Sequence, residues 1–142
     1  AMIDAILEGT EGLPIIFPVH PRTAKNLQNL GIDAPNLHMC EPLGYLEFNY
    51  LVKNAKGVIT DSGGVTEETS VMNVPCVTLR NNTERAETIH LRTNELVGTD
   101  PSKIKPYLQK IMRGEWKQYQ GIPLWDGKTA ERIVDILIES YS

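Results

Sequence analysis

The sequence is sparing with the residues that most often announce a chemistry. Its two cysteines, Cys40 and Cys76, and three histidines, His20, His38 and His90, share no ligand spacing on one element, which argues against a metal set and a disulfide framework. Neither Gly-x-Gly-x-x-Gly nor a Walker sequence occurs, so the ordinary dinucleotide and nucleoside triphosphate sites lose their signature. Acidic residues outnumber basic ones, 18 to 14, and the net charge of −4 leaves no basic stripe for nucleic acid. No apolar run approaches a membrane span, and no signal peptide opens the chain. Both cysteines lie in apolar, strand-like runs and read as buried thiols of a reducing compartment, so a cytoplasmic location is expected.

What is present fits one globular domain. The 142 residues are 41% apolar, enough for a core, and show no internal repeat or low-complexity segment. Residues 1–9 read as the tail of a helix, an opening that hints at a piece of a longer protein. Strand-like runs follow at residues 13–19, 36–40, 58–60, 74–79 and 95–97. Helical patterns lie between and after them, through Lys25, Leu27 and Leu30, then Leu43, Leu46, Tyr50 and Leu51, then from Val65 onward, and briefly at 84–89. Asp100-Pro101 is a helix start, with Asp as N-cap and Pro at the first helical position. Ile104, Tyr107, Leu108, Ile111 and Met112 then mark one buried helical face. A last helix carries Ala130, Ile133, Ile136 and Leu137. Regular alternation of strand and helix predicts an α/β fold with a parallel, doubly wound sheet.

The organising stretch is Val58-Ile59-Thr60-Asp61-Ser62-Gly63-Gly64-Val65-Thr66-Glu67-Glu68, a strand, a glycine turn and a helix start. Paired glycines admit a ligand close to the backbone, and the open N–H groups of a first helical turn favour a phosphate or pyrophosphate. The same residues can serve merely to turn and cap. In a parallel sheet, His20, the 41–44 turn, the 62–64 elbow and the 80–85 loop all follow strands and should open onto one edge. His20 could donate to a phosphate or carry a proton, or simply cap a carbonyl. Arg80 and Arg85 could hold phosphate oxygens, although Glu84, Glu87 and Glu95 are near enough in sequence to pair with either. Glu68 suits sugar hydroxyls better than phosphate, and Glu67 reads as a partner of the helix dipole. His38 and His90 read as structural. The residues alone support a nucleotide or phosphosugar site without naming a reaction.

The chain further resembles the C-terminal half of the non-hydrolysing UDP-N-acetylglucosamine 2-epimerases. The matching words are Pro18-Val19-His20-Pro21-Arg22-Thr23, Glu41-Pro42-Leu43-Gly44-Tyr45-Leu46-Glu47-Phe48, Asp61-Ser62-Gly63-Gly64 with Glu67-Glu68, Thr83-Glu84-Arg85 with Glu87-Thr88, Leu96-Val97-Gly98-Thr99, and Asp126-Gly127-Lys128-Thr129-Ala130-Glu131-Arg132-Ile133. Each is weak alone, and they run in family order over nearly the whole chain.

The resemblance implies a Rossmann-like domain of the glycosyltransferase-B type over residues 1–142, with its N-terminal partner domain outside this chain. It implies that Ser62, Gly63 and Gly64 bind the diphosphate, Glu68 the ribose, Arg85 a phosphate, and the backbone at Phe48 the uracil; His20 matches a histidine needed for activity. The implied reaction inverts C2 between UDP-N-acetylglucosamine and UDP-N-acetylmannosamine by eliminating and re-adding UDP, without an external cofactor or metal, in cell-envelope polysaccharide biosynthesis. The expected partners are a UDP-sugar, the other domain, and a second parent subunit in a homodimer, with no nucleic acid or membrane. Ala86 stands where many members have proline and Thr66 where many have glutamine, and the acid and base carboxylates of the family belong to the other domain. A hydrolysing epimerase, a 2-epimerase of 6-deoxy UDP-sugars, a nucleotide-sugar glycosyltransferase and a non-enzymatic nucleotide sensor are the rival readings.

Overall fold

The computed structural model describes residues 1–32, 34–91, 93–118 and 120–141. In chain order the elements are α1 (Met2–Gly9), β1 (Ile15–Pro18), α2 (Pro21–Asn29), β2 (Leu37–Cys40), α3 (Tyr45–Asn54), β3 (Val58–Thr60) and α4 (Gly63–Met72). There follow β4 (Cys76–Thr78), α5 (Ala86–His90), β5 (Asn94–Leu96), a 3₁₀ turn (Pro101–Lys103), α6 (Ile104–Met112) and α7 (Thr129–Tyr141). The alternation expected from the sequence is present. Asp100 does cap, its carboxylate accepting from the Ser102 N–H at 3.0 Å, but it starts the 3₁₀ turn, and the α-helix begins at Ile104.

Every strand pair is parallel. The hydrogen bonds fall into two ladders, β1-β2 and β3-β4-β5, where the alternation alone reads as one sheet. Parallel pairing aims the carboxyl ends of a ladder the same way, so His20 shares an edge with the 41–44 turn, and Ser62 shares one with Arg80. The expectation of one common edge for all four is thus met only pair by pair, His20 with the 41–44 turn and the 62–64 elbow with the 80–85 loop.

Strand periodicity divides the larger ladder into two chemically different faces. Val77 turns into an apolar core with Val97, Ile104, Leu108 and Ile111, backed by Met2, Ala5 and Ile6 of α1. Burying Val77 completely contributes on the order of 1.5–3 kcal/mol. Its neighbours Cys76 and Thr78 turn the other way, where buried Thr66, Thr69, Ser70, Thr88 and Asn94 form a hydrogen-bonded polar layer. Burial pushes the Cys76 thiol up from its ordinary value, as expected for an inert thiol. Cys40, read from sequence as buried, is only half-buried because it ends its short strand.

Two apolar helix faces stay open. Ile133, Ile136 and Leu137 on α7 are each more than half exposed, and Leu46 and Tyr50 on α3 border an open depression with Leu43, Glu47 and Leu51. No helix among the described residues is long and apolar enough to cross a membrane.

Candidate functional site

The elbow between β3 and α4 is built by its own sequence. Asp61 and Ser62 leave the strand, and Ser62 takes extended backbone angles as N-cap, so that Gly63 and Gly64 become the first two residues of α4. The Ser62 N–H donates to the Thr60 hydroxyl at 3.1 Å, and the Ser62 carbonyl accepts from the Thr66 N–H at 3.3 Å. The N–H groups of Gly63, Gly64 and Val65 are therefore the first-turn donors without an intrahelical acceptor, at the positive end of the helix dipole. The Ser62 hydroxyl makes no capping bond. From the buried side, the Thr66 hydroxyl donates to the Gly63 carbonyl and the Ser70 hydroxyl to the Thr66 carbonyl, both at 2.6 Å. Thr66 thereby fixes the turn from beneath.

The helix starts two residues earlier than the sequence indicates. Glu67 and Glu68 consequently lie in its second turn, too far along to serve the dipole. Glu67 instead binds Arg85: the guanidinium Nε donates to its carboxylate, an ion pair 18 residues apart in sequence with both side chains about two-fifths exposed. That bond, and then the charge of Glu67, hold Arg85 still more firmly protonated than a free arginine. Sequence proximity suggested Glu84, Glu87 or Glu95 as its partner. Helix α4 supplies the carboxylate because α5 packs beside it. Nε faces Glu67, which leaves the two terminal nitrogens as the open donors of the fork.

A carboxylate also stands at the mouth of the elbow. A Cβ placed on Gly63 would lie 3.2 Å from Glu84 Oε1 and 4.0 Å from Arg80 Nη1. Those two side chains form an exposed pair at 3.8 Å. A larger residue there would touch the exposed end of the Glu84 side chain, which a shift of a few tenths of an ångström accommodates. The sequence reads Glu84 as a possible partner of Arg80 or Arg85, and it does pair with Arg80, but no local pattern marks it as lying over the glycines.

The Arg85 backbone is held on both sides. Its N–H donates to the Thr83 hydroxyl at 3.1 Å, and its carbonyl accepts from the Thr88 N–H at 3.0 Å and the Thr88 hydroxyl at 2.7 Å. Gly98, with φ +81°, brings the loop after β5 against the same segment, because its missing side chain would stand 2.9 Å from Asn81 Oδ1.

The other sequence candidates are distributed as follows. Glu68 is half-buried in the second turn of α4. Phe48 is half-buried within α3, and its N–H is taken up by the Gly44 carbonyl at 2.9 Å. His20 is exposed at the end of β1 and caps α2, its Nδ1 accepting from the Arg22 N–H at 3.4 Å. The structure thus places Arg85 against the second turn of the helix that Ser62, Gly63 and Gly64 open, with Phe48 on α3, which also packs against α4, and His20 at the end of β1. No cluster of three or more metal-ligating side chains occurs among the described residues.

A family model described as UDP-N-acetylglucosamine 2-epimerase matches residues 1–138. The chain is 46% identical over 128 residues to a UDP-N-acetylglucosamine 2-epimerase of Methanococcus maripaludis, covering 87% of this chain and 34% of that protein. It is 43% identical over 130 residues to the enzyme of that name from Methanocaldococcus jannaschii, with the same coverage of 87% and 34%. Its backbone matches the crystal structure of the Methanocaldococcus jannaschii UDP-GlcNAc 2-epimerase in complex with UDP-GlcNAc and UDP, with a TM-score of 0.74 and 40% identity over 96% of this chain and 39% of that one. The chain spans about a third of the length of the curated relatives it matches.

Proposed function

The chain belongs to the UDP-N-acetylglucosamine 2-epimerase family, and from that premise we propose that it is the UDP-binding, C-terminal domain of an enzyme that inverts C2 of UDP-N-acetylglucosamine to give UDP-N-acetylmannosamine. The observation that carries this reading is the pairing of an open glycine helix start with an arginine fork held at its second turn by Glu67. The Methanocaldococcus jannaschii relative was crystallised with UDP-GlcNAc and UDP, which supports the same ligand class here.

In the proposed reaction the proton at C2 leaves as the C1–O bond breaks, giving a glycal-like intermediate and UDP; re-addition of UDP and return of the proton to the opposite face complete the inversion. Negative charge grows on the departing diphosphate. The Gly63, Gly64 and Val65 amides and the terminal nitrogens of Arg85 would meet that charge, a contribution larger in the transition state than in the ground state. Ser62 would add a hydroxyl donor, Glu68 would accept from the ribose, and the backbone at Phe48 would meet the uracil. His20 is the group of this chain assigned to the chemistry at the sugar. The remaining acid and base groups would come from the partner domain, and the whole enzyme would work as a homodimer in the cytoplasm.

The test is a titration of the chain with UDP followed by amide chemical shifts. Shifts at residues 62–68 and Arg85 are expected, with Phe48 responding to the base, and silence at 62–68 and Arg85 removes the reading. The purified chain by itself is expected to interconvert no UDP-sugar; turnover would refute the assignment of essential groups to the other domain.

A further inference from the structure

Behind Arg85 runs a buried hydrogen-bond chain whose polarity is fixed from end to end. The Thr78 hydroxyl on β4 donates to Asn94 Oδ1 on β5, Asn94 Nδ2 donates to the Thr88 hydroxyl at 3.2 Å, and that hydroxyl donates to the Arg85 carbonyl at 2.7 Å. Thr78, Thr88 and Asn94 are each at most 1% exposed. A hydroxyl has one proton to give, and Thr88 gives it to Arg85 because the Asn94 amide meets its oxygen as a donor. None of the three need touch a ligand for this chain to act, since it ends on the Arg85 backbone.

We propose that Thr88 is a positioning residue for Arg85: the Thr78–Asn94–Thr88 chain ties the start of α5 to the sheet and so sets where the guanidinium stands beside α4. The inference rests on the reading that Arg85 meets a phosphate. Two threonines and an asparagine buried without charge are costly unless every donor and acceptor is matched. Bonded to one another as they are here, they hold the α5 start to one place on β4 and β5, with Glu67 orienting the side chain and Thr88 the backbone that carries it.

The test is calorimetric titration of the chain with UDP. Thr88→Val keeps the shape and removes the hydroxyl; UDP affinity should fall at least about threefold. Thr88→Ser, which restores the hydroxyl, should return it to the parent value. In an Arg85→Ala background, Thr88→Val should weaken binding no further, which a general loss of packing would not produce. Unchanged binding by Thr88→Val, or an equal loss in both backgrounds, overturns the proposal while leaving the phosphate role of Arg85 intact. Unchanged binding by Arg85→Ala overturns the phosphate role, and the positioning role with it. Should Thr88→Val lose the parent amide spectrum, Thr78→Val cuts the chain one link further back and carries the same expectation, with unchanged binding again counting against it.

Discussion

The Arg85 guanidinium donates through Nε to the Glu67 carboxylate and so joins the start of α5 to the second turn of α4. Both side chains are partly exposed, so solvent screens the pair and its share of global stability is small. Its effect is directional: with Nε occupied, the two terminal nitrogens are the donors left for a ligand.

Glu67→Gln is therefore expected to shift unfolding stability by less than about 1 kcal/mol. UDP affinity should fall by up to about tenfold as the fork loses its orientation. Thermal unfolding and calorimetric titration of the same variant check both halves, and tighter binding would show that Glu67 competes for Arg85 instead of aiming it.

Glu84 should act in the opposite sense. Its carboxylate lies against Gly63 at the positive helix end, where an incoming diphosphate would stand. Replacing it with the neutral isostere in Glu84→Gln removes a like charge and frees Arg80, so UDP should bind more tightly by roughly 0.3–1 kcal/mol, the scale of a charge at a helix terminus. A titration in low salt reads the change, and weaker binding would count against an anion site at the elbow.

Gly98→Ala should destabilise the chain by about 1–2 kcal/mol through its left-handed backbone alone. The contact of the new methyl with Asn81 Oδ1 adds to this. Thermal unfolding measures the sum, and trimming the neighbour in Gly98→Ala/Asn81→Gly should recover only the steric part.

Acid should loosen the approach to α7. The Lys128 N–H, and then Arg132, hold the Asp126 carboxyl below its ordinary value of 3.8. A lowered folded value means that the contribution of Asp126 is complete above the ordinary carboxylate value and is lost as the pH falls through the folded one. Amide shifts of Lys128 and Thr129 should titrate below pH 3.8 and lose that dependence in Asp126→Asn.

The legible parts of this chain are those in which neighbours in sequence are neighbours in space. Ser62-Gly63-Gly64 after three β-favouring residues is a strand-to-helix elbow wherever it occurs, and Ile104, Leu108 and Ile111 line one face of any helix that contains them. Even there, the exact start of α4 escaped, because glycines read as turn residues when they open a helix as easily as when they precede one. The open faces of α3 and α7 escaped as well, since periodicity marks an apolar face without saying what covers it.

By itself, then, the sequence determined the order and kind of the elements, the glycine elbow, and the family whose motifs the chain carries. Tertiary structure alone decided that Glu67 pairs with Arg85, that Glu84 lies over Gly63, and that Thr78, Asn94 and Thr88 form one chain behind the arginine. The reason is physical: a hydrogen bond depends on a few ångströms of separation between atoms that the chain may carry many residues apart, and only the packing of α4 and α5 on the parallel sheet brings those atoms within reach.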